Sequence, residues 1–70
     1  QEEHVRPPED EALRQTQRAI MTVLEGERWV ELNPATSYVR RLQHQMARQA
    51  NLMSHSHGKE PNRRVRIYRD

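Results

Sequence analysis

Arg40 and His44 stand four positions apart in a stretch with helical periodicity, so their side chains project side by side from neighbouring turns. A guanidinium and an imidazole placed this way can share one anion. They can equally hydrogen-bond the backbone of a neighbouring strand and fix the helix against it. Arg41 and Arg48 lie along one helical side with His44 and extend the same cationic stripe. A second basic group, Arg63, Arg64 and Arg66, sits near the C-terminus. In an extended strand Arg64, Arg66 and Tyr68 share one face and Val65 and Ile67 the other. Cations interleaved with a ring suit a single-stranded nucleic acid, because guanidiniums neutralise phosphates and release counterions while a ring stacks on a base.

Each group also has a plainer reading. The helix stripe can be a solvated face, and the strand arginines can be edge charges that discourage aggregation. Trp29 and Tyr68 can pack against helices; of the two, Tyr68 is the better candidate for a base because its strand neighbours are basic. With so few rings, affinity is expected to be weak and mostly electrostatic.

Other chemistries find little support. Ser54 and Ser56 share a strand face with Leu52 and read as small packing residues, since no base and orienting acid accompany them. His55 and His57 share the opposite face, with His44 as a further nitrogen, but no cysteine or well-placed carboxylate completes a zinc set. The Gly58 turn has too few glycines to cradle a nucleotide. No enzymatic activity, metal or other cofactor is expected.

These residues must be positioned by a small body. The chain has 70 residues, no cysteine, no phenylalanine and 33% hydrophobic residues, so it is one domain with a thin core and no disulfide. No apolar run approaches the roughly 20 residues that span a bilayer, so no membrane partner is expected. Net charge is +2, but residues 1–33 carry four Arg against eight acids (−4) and residues 34–70 carry eight Lys and Arg against two acids (+6). A basic half that also looks folded is an electrostatic footprint for phosphate polymers.

Residues 1–8 end in Pro7-Pro8 and read as a flexible linker, leaving 9–70 as the domain. Acidic residues at 9–11 open a first helix, expected from about residue 9 to about residue 25, with Leu13, Ile20 and Leu24 as its stripe and Gly26 as its stop. Residues 29–32 read as a short strand. Asn33, Thr36 or Ser37 can cap a second helix whose buried face is Val39, Leu42, Met46 and Ala50, and Asn51 can end it. Residues 52–57 and 63–69 read as two strands joined by a hairpin-like turn. The expected fold is α/β of the α+β kind, order α-β-α-β-β, with a small three-stranded sheet and two helices covering one face.

Three ordered blocks in the second half resemble the R-three-H domain family, named for an Arg and a His with three residues between them. They are Tyr38 to His44 on the helix, Leu52-x-Ser54-x-Ser56-x-Gly58, and Glu60 to Ile67. The resemblance is closest to bacterial members and covers about half the chain. It implies a domain that binds single-stranded DNA or RNA, with Arg40 and His44 as the signature pair and Arg63 as the recurrent strand arginine. Gln43 departs from the pattern, which more often has an apolar residue there, and His55 and His57 are not required by it. The resemblance also implies a covalently linked neighbour such as a KH or ATPase domain, as in Jag-like proteins, and a start at Gln1 fits a piece of a longer chain. The expected partner is therefore single-stranded RNA or DNA, contacted through Arg40, His44, Arg41, Arg48, Arg63, Arg64, Arg66 and Tyr68 in a cytoplasmic setting. The alternative is a protein-interaction domain that docks through its acidic first helix and basic sheet.

Overall fold

The computed structural model describes residues 7–70. Its elements are α1 (Pro7–Leu24), β1 (Trp29–Glu31), α2 (Ser37–Gln49), β2 (Met53–His57) and β3 (Arg64–Tyr68). The order and the α+β class match the expectation. The helix begins two residues earlier than expected, at Pro7, where a proline's missing N–H costs nothing because first-turn donors lack helical partners anyway. The rest of the expected linker, 1–6, lies outside the described residues.

The last strand is the central one. β3 pairs antiparallel with β1 on one side and β2 on the other, giving the order β1-β3-β2. Its alternation therefore decides both faces of the sheet. Val65 and Ile67 are fully buried and join Ala19, Ile20 and Val23 of α1, Leu32, and Ala47 of α2 in one core. Arg64, Arg66 and Tyr68 point the other way, onto a face that neither helix covers.

The helices are turned slightly from their expected orientation. On α1 the buried line is Thr16, Ala19, Ile20 and Val23, which keeps strict three-and-four spacing, while Leu24 falls outside it and is 53% exposed. Thr16 tolerates complete burial because its hydroxyl donates to the Ala12 carbonyl one turn back (2.7 Å). On α2 the most buried residues are Val39, Arg40, Gln43 and Ala47, whereas Leu42, Met46 and Ala50 are only half-buried. Thr36 caps the helix by accepting the Val39 N–H (3.3 Å), and Asn51 ends it in the left-handed region at φ 62°. Gly58, at φ +93°, closes β2 where a Cβ would sit 2.8 Å from the Arg64 guanidinium.

Gln43 is the polar residue at the centre of this packing. It is fully buried and neither amide atom has a hydrogen-bond partner. An unsatisfied buried group costs about 1–3 kcal/mol, so Gln43→Leu should raise stability by that order. The readout is the urea midpoint at unchanged slope; a lowered midpoint would contradict it.

Candidate nucleic-acid interface

Along α2, at about 100° per residue, Arg40, His44, Arg48 and Arg41 fall in that order within an arc of about 100°. Arg40 lies nearest the core and Arg41 and Arg48 are fully on the surface. The Arg40 side chain is only 9% exposed. Its guanidinium donates to the Ala35 carbonyl before the helix (2.5 Å) and to the Glu60 carboxylate in the β2–β3 turn (2.7 Å). It thus ties two loops to the helix start. His44 reaches β2, with Nδ1 2.6 Å from the Ser54 hydroxyl and Nε2 2.7 Å from the Ser56 hydroxyl. Serine hydroxyls donate or accept, so this pair satisfies a neutral imidazole in either tautomer. Arg63 donates to the Gly58 carbonyl (2.8 Å) and the Ser56 carbonyl (3.3 Å), and its own carbonyl accepts the Ala35 N–H (3.2 Å). Arg40, His44 and Arg63 are therefore gathered at one edge, where α2 meets β2 and the turn beyond it.

The remaining strand cations are elsewhere. Arg64 and Arg66 both donate to Glu31 on β1, Arg64 through Nε at 2.5 Å and Arg66 through Nη2 at 3.0 Å. Arg66 also lies over the Trp29 ring, 4.3 Å from its centroid. Tyr68 pairs across the sheet with Trp29 and with Met53, which puts all of them on the open face. A single surface combining the cations of the second helix with Arg64 and Arg66 is not formed. The sheet stands between them, because the period of two that buries Val65 and Ile67 sends Arg64 and Arg66 away from α2.

The sequence matches the R-three-H domain profile over residues 11–69. The chain belongs to that family. R-three-H domains are in general nucleic-acid-binding modules. A Porphyra purpurea protein called "Uncharacterized protein ycf45" is 36% identical over 61 residues, which is 86% of this chain and 11% of that protein. No solved structure matches.

Within this R-three-H domain the signature histidine is electrostatically tuned. Burial lowers the His44 pKa below its ordinary value of 6.5, and the positive neighbours Arg48 and Arg40, then His55, add to the effect. The unfolded chain takes up a proton that the folded one resists. Stability from His44 is thus present above pH 6.5 and is lost as pH falls through the lower folded value. Melting temperature should drop as pH is lowered from 6.5 through the folded value, and His44→Gln should flatten that part of the curve; an unchanged slope would contradict the assignment. On the other face, hydrogen bonds from Arg64 and then Arg66 pull the Glu31 carboxyl from 4.5 down to about 2, a contribution lost only at more acidic pH.

Several partners escape a reading of sequence spacing. Ser54 and Ser56 are the acceptors and donors of His44 rather than mere packing spacers, and their two-residue spacing on a strand beneath a helix histidine is the available signal. Glu31 and Glu60, the carboxylates that hold the arginines, have none. Trp29 is 50% exposed on the open face instead of packed against helices. His55 and His57 are on that face too, across the sheet from His44, and among the described residues no group of three potential ligands is placed to hold a metal ion.

Proposed function

We propose that this chain is a non-catalytic module that binds single-stranded RNA or DNA by its phosphate backbone, along the edge where α2 meets β2. The observation that supports this most is the charge balance there. Among the described residues, the one carboxylate that pairs with Arg40, Arg41, Arg48 or Arg63 is Glu60, which lies on Arg40. Arg63 is held by neutral carbonyls, so its charge is uncompensated by those contacts. Arg41 and Arg48 are exposed and supply the phosphate contacts, with Arg63 at the turn end of the same edge. Arg40 and His44 position them by locking the helix to the loops and to β2.

Protein docking through the first helix has less support, because its acids are engaged locally: Arg14 pairs with Asp10 and Glu11, and Arg18 with Glu11. The match to 11% of a longer relative favours a module within a larger protein; an attached KH, ATPase or other nucleic-acid-handling domain and a cytoplasmic site of action are proposed from the family resemblance.

The test is fluorescence anisotropy of a labelled single strand over a range of salt. Single strands lose log affinity with log salt at about 0.7 per phosphate contact, so three contacts give a slope of about −2. Binding that is absent at high protein concentration, or insensitive to salt, overturns the reading.

A further inference from the structure

The open sheet face carries a second arrangement that phosphate binding at the α2 edge leaves unused. Trp29 begins β1 and is half exposed. Directly opposite it is Tyr68, in register on β3. Arg66 covers part of the indole and is anchored there by Glu31. Arg28, His55 and Arg69 complete the rim of a shallow hollow around Trp29, Arg66 and Tyr68. Among the described residues the Arg69 guanidinium donates to the Glu27 and Gly26 carbonyls (3.3 and 2.7 Å), so no carboxylate neutralises it through those bonds.

We propose that this hollow is a base-stacking subsite that takes one unpaired nucleobase of the bound strand, with Arg28 and Arg69 holding its flanking phosphate. The inference rests on the nucleic-acid reading above but concerns a different face and different residues. Three physical features favour a base over another occupant. The exposed rings offer flat π-surface that a planar heterocycle covers without leaving a polar group unpaired. The arginine held over the indole can itself stack on a base plane. Flanking cations select a planar group joined to an anion, as a base is to its phosphate, which an apolar side chain of a protein partner does not satisfy. Glu31 matters in this design because it fixes Arg66 in place and cancels part of the charge of the Arg64–Arg66 pair. Stacking, rather than bulk attraction, then dominates at the centre of the hollow.

Trp29 is the only tryptophan in the chain, so its fluorescence reports on this hollow alone. The experiment titrates the chain with a single-stranded oligonucleotide and with an abasic strand of equal phosphate number, following both Trp29 emission and the anisotropy of a label on the strand. The base-bearing strand is expected to quench Trp29 and to bind about tenfold tighter than the abasic strand, as expected for one stacked base. Trp29→Ala should remove that advantage and leave abasic binding unchanged. If the base-bearing strand binds while Trp29 emission stays constant, the stacking subsite is wrong and the phosphate reading stands. Equal quenching by both strands makes the hollow a simple anion site and overturns the inference. If neither strand binds, both readings fail together. The fluorescence arm needs no substitution, so a variant that fails to fold does not protect the proposal.

Discussion

Reversing the two exposed charges of the α2 stripe, Arg41→Glu together with Arg48→Glu, is expected to weaken single-strand binding at low salt by at least about tenfold. The salt slope should shrink at the same time, because two phosphate contacts no longer release counterions. Both side chains are on the surface, and exposed substitutions usually change stability by less than about 0.5 kcal/mol. Arg48 lies in the last helical turn and favours the helix dipole, so its reversal adds up to about 1 kcal/mol. The double variant therefore stays folded, and circular dichroism checks this directly. Lysine at the same two positions keeps the charge and should keep most of the affinity. Unchanged binding in the folded double reversal would place the nucleic acid on another surface.

Arg40→Ala should behave in the opposite way, with a large loss of stability and a small loss of affinity per folded molecule. The substitution empties a buried volume, leaves the Ala35 carbonyl without its donor and frees Glu60 from the turn. Hydrogen bonds to charged groups contribute about 1.5–3 kcal/mol each, so a total loss of about 2–4 kcal/mol is expected. A domain of this size has only about 4–10 kcal/mol in all. Lysine at position 40 retains charge but not the planar fork that reaches both acceptors, and should recover little of the stability. Glu60→Gln retains an acceptor and, with position 60 being 61% exposed, should cost little. Urea denaturation supplies the first readout and anisotropy at low temperature the second. If Arg40→Ala kept its stability and lost more affinity than the double reversal, Arg40 would be a ligand contact and not a strut.

What the sequence made legible was local. The Thr36 cap, the Asn51 stop and the two-residue period that separates Val65 and Ile67 from Arg64, Arg66 and Tyr68 all act within a few positions. Periodicity alone identifies two faces of a strand but not which structure covers each, nor that the last strand lies in the middle. Those outcomes depend on pairings between residues such as Trp29 and Tyr68, 39 positions apart. The same limit explains why Arg40 reads as a surface cation: one of its acceptors, Glu60, is 20 positions away and reaches it only through the fold. Gln43 misleads for a different reason. A polar residue argues for an outward position, whereas the four-residue spacing of Val39, Gln43 and Ala47 carries it into the core regardless.

The central claim, that the strand is held at the α2–β2 edge, is tested most directly by following the arginine side-chain Nε–H signals by NMR during titration with a short oligonucleotide. Arg41, Arg48 and Arg63 are expected to shift together, with the shifts fading as salt is added, while Arg14 and Arg18 on the first helix stay still. Shifts confined to Arg14 and Arg18, or no shift in any of the five, would contradict it.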